Sequence, residues 1–87
     1  MNDTLTESDK EAVYQILLDQ LEIHRDQLSH DAQLKEDLGA DSLDEIQIVM
    51  ALEEKFHLTI PDHQAEIAKT VGAIFELLEE MLEKNTN

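Results

Sequence analysis

The chain has 87 residues, 21 of them acidic and 6 basic, so its net charge at neutral pH is −15. A chain of this length forms one hydrophobic core and buries roughly 60% of its unfolded surface, which excludes a multi-domain enzyme. The negative charge disfavours nucleic acid and anionic membranes as partners and favours proteins with basic patches. With 41% apolar residues and only one proline and two glycines, the chain is expected to fold.

Two features that the sequence lacks exclude further classes of protein. The sequence contains no cysteine, which excludes disulfides, thiolate metal sites and thioester chemistry on a protein thiol. No stretch approaches the ~18 consecutive apolar residues that a membrane span needs. We therefore expect a monomeric, cytoplasmic protein with a single domain over residues 1–87 and an ordered core over about residues 8–83.

The first helix and the segment after it differ sharply in pattern. A capping-box pattern at Ser8 and Glu11 opens a helix that is predicted from about Ser8 to Leu21. Residues 22–41 then show no sustained periodicity of apolar residues. A connection of ~20 residues in so small a domain is often functional. Four apolar residues are expected to hold this loop on the core: Ile23, Leu28, Leu34 and Leu38.

The second helix is predicted over residues 42–56, opened by a second capping-box pattern at Ser42 and Glu45. It has two opposed apolar sides. The first contains Ile48, Val49, Leu52 and Phe56, and the other contains Leu43, Ile46 and Met50 with Gln47 and Glu54. Both sides could be buried in a tight bundle. Because acids border the second side, and ionised carboxylates are rarely buried, this side could instead dock a partner with a basic rim and an apolar centre.

The rest of the chain completes an all-α fold. Pro61 marks an extended turn, after which Asp62 is expected to cap a short helix that reaches Ile67. The last helix is predicted to begin at Thr70 and to end near Asn85. The sequence therefore predicts a four-helix bundle, with three main helices, a short third helix and a long loop between helices one and two.

The segment DLGADSL, residues 37–43, places one hydroxyl where the long loop meets the second helix. Unpaired backbone N–H groups and the helix dipole favour an anion at such a position. Serine is also a common N-cap, so the short pattern alone is consistent with a structural role for Ser42 or with a site of modification.

The longer pattern resembles the phosphopantetheine attachment motif of the acyl carrier proteins, in which Asp-Ser-Leu follows a glycine two residues before the aspartate. The resemblance extends from about Ser8 to Leu78. It includes the long first loop, DLGADSLDEI, VMALEEKF at the end of helix two, the turn Ile60-Pro61-Asp62, and Thr70-Val71-Gly72 at the last helix.

The resemblance implies a carrier rather than an enzyme. Phosphopantetheine from coenzyme A would be attached to Ser42, beside the acidic Asp41, and would hold acyl groups as thioesters. The implied partners are a phosphopantetheinyl transferase and acyl-processing enzymes with basic patches, in fatty-acid, polyketide or related biosynthesis. The candidate partner contacts are Leu43, Asp44, Ile46, Gln47, Met50, Glu53 and Glu54.

The sequence also departs from the common family pattern. Gln47 and Lys55 stand where type II fatty-acid carriers usually have acids, and the last helix is longer. A carrier dedicated to a secondary pathway is compatible with these departures.

Other functions have weaker support. Ala40 and Leu43 do not complete the G-x-S-x-G pattern of a hydrolase, and no EF-hand calcium loop is present. The spacing of the four histidines, His24, His30, His57 and His63, is not that of metal ligands. We therefore expect them to lie on the surface, and we expect no metal site and no catalytic residue. Peptidyl carriers usually have a second glycine at the position of Ala40. Aminoacyl and D-alanyl carriers, and an acidic interaction module without a prosthetic group, are the alternatives.

Overall fold

The computed structural model describes residues 5–85, so both ends of the predicted 1–87 domain lie outside the described residues. The helices are α1 (Glu7–Leu21), α2 (Ser42–Phe56), α3 (Asp62–Ile67) and α4 (Val71–Asn85). One turn of 3-10 helix, Arg25–Gln27, lies in the loop between α1 and α2. No strand forms within residues 5–85. The predicted all-α fold with four helices and a long first loop is confirmed.

The start of α1 differs from the predicted capping box. The Thr6 hydroxyl accepts a hydrogen bond from the backbone N–H of Asp9 (3.0 Å), and the Asp9 carboxylate accepts one from the N–H of Thr6 (3.1 Å). The prediction of a cap at Ser8 with Glu11 is therefore wrong. Leu5, which is only 1% exposed, anchors the chain in the core directly before the cap and so fixes an earlier helix start.

The two C-terminal helices begin close to the predicted positions. Pro61, with extended backbone, occupies the N-cap position of α3, so Asp62 is the first helical residue and not the cap. The Thr70 hydroxyl accepts a hydrogen bond from the N–H of Ala73 (3.0 Å), directly before α4. The prediction that Thr70 opens the last helix is therefore correct to within one residue.

The core is formed by one stripe from each long helix, by the first loop, and by Leu5, Leu58 and Ile60. The buried helical residues are Val13, Leu17, Ile48, Leu52, Val71, Ile74 and Leu78, and those of the loop are Leu28, Ala32, Leu34, Leu38 and Ala40. Val49 and Phe56 are partly buried beside them. The predicted inner side of helix two is confirmed. The rings of Tyr14 and Phe75 join α1 to α4 edge to face, with centroids 5.4 Å apart.

Backbone hydrogen bonds hold the middle of the loop against the junction of α3 and α4. The N–H of Leu34 donates to the carbonyl of Lys69 (2.9 Å), and the N–H of Gly72 donates to that of His30 (2.8 Å). A Cβ at position 72 would clash with the imidazole of His30, so a larger residue there would require the exposed His30 side chain to move. The loop is therefore fixed by contacts with residues far along the chain.

Candidate functional site

The long loop presents Ser42 at the start of α2. Leu38 and Ala40 are buried, and the N–H of Ala40 donates to the carbonyl of Leu34 (2.8 Å). Between them, Gly39 has a φ of +75°, in the left-handed region that favours glycine. Because both neighbours of Gly39 are anchored, the chain reaches the first turn of α2 in a fixed position.

The N-cap of α2 is Asp41, not Ser42. Asp41 has extended backbone, and its Oδ1 accepts from the N–H of Asp44 (2.9 Å), while Asp44 Oδ2 accepts from the N–H of Asp41 (3.1 Å). The predicted capping box of Ser42 and Glu45 is therefore wrong, because the Asp41 carboxylate takes the capping position. Ser42 is the first helical residue, is exposed, and forms no side-chain hydrogen bond within residues 5–85. Its hydroxyl is accessible at the positive end of α2.

A groove of about 260 Å³ lies beside Ser42. Its other lining residues are Gln33, Lys35, Glu36, Asp41, Glu45 and Lys69. Lys35 comes from the long loop and Lys69 from the junction of α3 and α4, brought together by the hydrogen bond from Leu34 to Lys69. Sequence analysis did not identify either lysine, because this long-range pairing has no local pattern.

This arrangement fits a phosphate ester on Ser42. Ser42 is exposed, the first N–H groups of a helix lack partners within the helix, and two lysines line the adjacent groove. Lys35 and Lys69 also offset part of the charge of the three carboxylates of the groove, Glu36, Asp41 and Glu45, which repel a phosphate.

The outer side of α2 faces solvent. Leu43, Ile46 and Met50 are 61%, 56% and 60% exposed, and Gln47 and Glu54 are also exposed. The structure thus decides between the two alternatives for this side, since it is not buried in the bundle. Its role in partner binding stays a prediction.

Two of the acids expected at this surface have internal partners. Asp44 Oδ1 accepts a hydrogen bond from Gln20 Nε2 of α1 (3.1 Å). This bond, followed by that from the backbone N–H of Asp41, holds the pKa of Asp44 below its usual value. Glu53 Oε2 accepts from the N–H of Ile60 (2.7 Å) and so holds the turn before α3. Asp44 and Glu53 therefore stabilise the fold, whatever else they contact.

The core beneath α2 contains a small cavity of about 30 Å³. Aliphatic side chains dominate its walls, among them Ile48, Leu52, Ile74 and Leu78. This volume is close to that of one water molecule. An acyl chain would therefore enter only if the helices moved apart.

The histidines and acids form no metal-binding cluster in the described part of the chain. His24, His30, His57 and His63 are all exposed. Within residues 5–85, no three His, Asp or Glu residues lie close enough together to hold a metal ion. No helix in this range has the length and apolar character required to cross a membrane.

Known proteins are similar in sequence to most of this chain. The family model for the phosphopantetheine attachment site matches residues 11–78. The acyl carrier protein of Sulfurovum sp. is 48% identical over 67 residues, covering 77% of this chain and 89% of that protein. The acyl carrier protein of Clostridium perfringens is 43% identical over 70 residues, covering 80% and 92%.

The fold agrees with these matches. A solved chain from Mycobacterium tuberculosis, assigned as an acyl carrier protein, superimposes with a TM-score of 0.74 at 30% identity, covering 79% of this chain and 92% of that one. Helix order, sequence and family model thus lead to one conclusion. The chain belongs to the acyl carrier proteins, which are carriers rather than enzymes and hold their cargo on a covalently attached phosphopantetheine group.

Proposed function

We propose that phosphopantetheine is attached to the Oγ of Ser42, and that this chain delivers acyl groups from it to the enzymes of a biosynthetic pathway. The observation that carries the proposal is the exposed Ser42 hydroxyl at the N-terminus of α2, beside a groove lined by Lys35 and Lys69. When bound, the group supplies the thiol on which an acyl chain is held as a thioester. The chain cannot supply this thiol, because it contains no cysteine.

The residues around Ser42 would position the hydroxyl and stabilise its ester. Loading would form a bond between Ser42 Oγ and the phosphorus of coenzyme A that bears the pantetheine, and would break the pyrophosphate link so that adenosine 3′,5′-bisphosphate leaves. The serine proton would pass to a base of the transferase or to water. Asp41 caps the helix and leaves the hydroxyl without an internal partner. The positive end of α2 and the two lysines would then lower the cost of adding a phosphodiester to a chain of net charge −15.

The proposed pathway class is fatty-acid, polyketide or related biosynthesis. The partners would be a phosphopantetheinyl transferase and acyl-processing enzymes whose basic patches meet the outer side of α2. The exposed Gln47 and Lys55 reduce the negative charge of α2, which supports a cognate enzyme adapted to a less acidic carrier.

Carriers of other cargoes are the second candidate. Peptidyl carriers usually have glycine in place of Ala40, and here the Ala40 methyl is buried in the core at 2% exposure. Alanine in place of that glycine supports an acyl cargo over a peptidyl one. Aminoacyl and D-alanyl carriers share the same arm, and an unmodified interaction module would need none.

Intact-mass spectrometry tests the attachment site. The wild type, Ser42→Ala and the matched Ser29→Ala variant are each incubated with coenzyme A and a broadly specific phosphopantetheinyl transferase. We expect wild type and Ser29→Ala to gain the mass of one phosphopantetheine and Ser42→Ala to gain none. An unmodified wild type would refute the carrier function, whereas a modified Ser42→Ala would refute only the site.

The cargo is tested by offering acyl, aminoacyl and D-alanyl groups to the arm-bearing protein with the corresponding ligases. Preferential loading of acyl groups, read as kcat/KM, is the expected result. A preference for D-alanine or another amino acid would assign the chain to the alternative class of carrier.

A further inference from the structure

Two lysines line the groove beside Ser42, although the chain is strongly acidic. Lys35 and Lys69 are two of only six basic residues in a chain with 21 acidic ones. Both are exposed, and neither forms an ion pair within residues 5–85. In this part of the chain, both ammonium groups are therefore available to a further anion in the groove.

The carboxylates of the same groove do not hold these lysines. Glu36, Asp41 and Glu45 also line the groove, yet none of the three forms an ion pair with either lysine. The Asp41 carboxylate caps α2 instead, by accepting a hydrogen bond from a backbone N–H. Because lysine has a flexible side chain and three donors, both lysines could turn to a phosphodiester on Ser42 without breaking an ion pair.

The two lysines and Ser42 belong to three different segments of the chain. Lys35 lies in the long loop, Ser42 begins α2, and Lys69 lies in the junction between α3 and α4. The loop and the junction are already joined, because the N–H of Leu34 donates to the carbonyl of Lys69 (2.9 Å). Within residues 5–85, no hydrogen bond joins α2 to junction residues 68–70. A group held by all three segments would add this missing connection.

Side-chain packing holds the region before this junction only weakly. The helix α3 has six residues, and none of them is buried. Ile67, its last residue, is 75% exposed. Elements with few buried contacts open locally at a low cost in free energy. One additional connection at Lys69 would therefore have a measurable effect on the opening of the junction.

We propose that, once the arm is attached, Lys35 and Lys69 both bind its phosphodiester and so tie α2 to the long loop and to the α3–α4 junction. This inference rests on the proposed attachment to Ser42. Phosphate groups order nearby loops when they form charge-assisted hydrogen bonds with basic side chains. Attachment of the arm would thus stabilise the fold, although it adds negative charge to a chain whose net charge is −15.

The bound phosphodiester would also determine on which side of α2 the arm begins. Glu45 lines both the groove beside Ser42 and the small cavity beneath α2, so the groove opens towards the inner side of that helix. Leu43, Ile46 and Met50, on the outer side, do not line the groove. The outer side of α2 would therefore stay accessible to a partner while the base of the arm is held.

Thermal unfolding tests the proposal, with each protein measured with and without the arm. In the wild type, attachment should raise the melting temperature by about 4 °C. In the double variant Lys35→Gln and Lys69→Gln, more than about half of this rise should be lost, because only the N-terminus of α2 then stabilises the ester. Comparing the two forms of each protein removes the effect of the substitutions on the unmodified chain.

The matched control is the double variant Lys10→Gln and Lys55→Gln. It makes the same change in net charge at two lysines that do not line the groove, so it should keep the full rise in melting temperature. Intact-mass spectrometry would first verify complete loading of every protein, and circular dichroism would verify that both double variants fold.

Two NMR measurements on the wild type locate the effect. Hydrogen exchange of the Leu34 amide, which bonds to Lys69, should slow by about fivefold when the arm is attached. Nuclear Overhauser contacts should join the ε-methylene protons of Lys35 and Lys69 to the methylene of the arm next to its phosphate. Because both measurements use the wild type, they decide the question even where the variant without the two groove lysines loads slowly.

The outcomes distinguish this inference from the proposed function. A wild type that gains no arm at Ser42 would overturn both. A loaded wild type without the two lysine contacts would overturn only the binding of the phosphodiester by Lys35 and Lys69. An equal rise in melting temperature in the wild type and in the variant that lacks these two lysines would overturn it as well.

Discussion

Gln20 on α1 donates a hydrogen bond from its side-chain amide to the carboxylate of Asp44 on α2, with 3.1 Å between Nε2 and Oδ1. The other oxygen of Asp44 accepts from the backbone N–H of the N-cap, Asp41. One carboxylate therefore joins α1 to the turn that presents Ser42. A residue that sequence analysis placed at the partner surface thus also holds the proposed attachment site in position.

The first prediction concerns the pKa of Asp44. Gln20→Met should raise it towards its usual value, because the largest cause of its lowering is the Gln20 hydrogen bond. A lowered pKa in the folded state stabilises the fold above the unfolded pKa, and this is lost as the pH falls through the folded pKa. The stability difference between variant and wild type should therefore be present at neutral pH and disappear in acid. NMR titration of the Asp44 carboxyl measures the shift.

Gln15→Met is the matched control for that experiment. Gln15 makes the same kind of bond, to Asp19, but within α1. It should leave the Asp44 pKa unchanged, and an equal effect of both variants would show that the Gln20 bond is not the cause.

The second prediction separates the cap of α2 from the proposed attachment residue, Ser42. Asp41→Ala should lower the free energy of unfolding by about 1 kcal/mol, because it removes the N-cap carboxylate. Ser42→Ala should change it by less than about 0.5 kcal/mol, since the hydroxyl makes no internal hydrogen bond. Urea unfolding of the two variants measures both values. If Ser42→Ala lowered the free energy of unfolding as much as Asp41→Ala does, Ser42 would have to be regarded as a cap of α2.

The helices followed from local patterns, and Ser42 was proposed as the attachment residue from the resemblance to a family, whereas the surroundings of Ser42 followed from neither. Periodicity placed α2 at residues 42–56 and its inner side on Ile48 and Leu52, because amphipathic spacing depends only on neighbours in the chain. The predicted N-cap of α2 differed from the observed one, because Asp41 and Ser42 are both good N-caps and the sequence pattern cannot rank them. Lys69 was missed because its position beside Ser42 depends on a backbone pairing between distant segments.

The third prediction tests the outer side of α2 with an acyl-processing enzyme. Glu54→Lys should slow association, because an exposed acid at the rim acts mainly on the on-rate. Met50→Ala should instead speed dissociation, because its 60% exposed side chain would be buried on binding. Surface plasmon resonance resolves the two rates. Glu7→Lys, an exposed glutamate of α1, makes the same change in net charge, and an equal loss from it would argue against a localised surface.

The fourth prediction is that salt stabilises the fold. With a net charge of −15, the compact state suffers self-repulsion that counterions would screen. The melting temperature should rise with sodium chloride and rise further with magnesium or calcium at equal ionic strength. Differential scanning calorimetry over a salt series provides the measurement. A constant melting temperature would mean that the folded chain already compensates its acids.

The fifth prediction concerns the two lysines beside Ser42. Lys35→Glu or Lys69→Glu should each lower the kcat/KM of loading by about threefold to tenfold, because the groove then repels the incoming phosphates. The loss should shrink at high salt, as expected for screened charges. Lys10→Glu on α1 is the matched control, since it changes the net charge equally but does not line the groove. If all three variants lose the same activity, the effect belongs to overall charge, and the lysines have no particular role at the site.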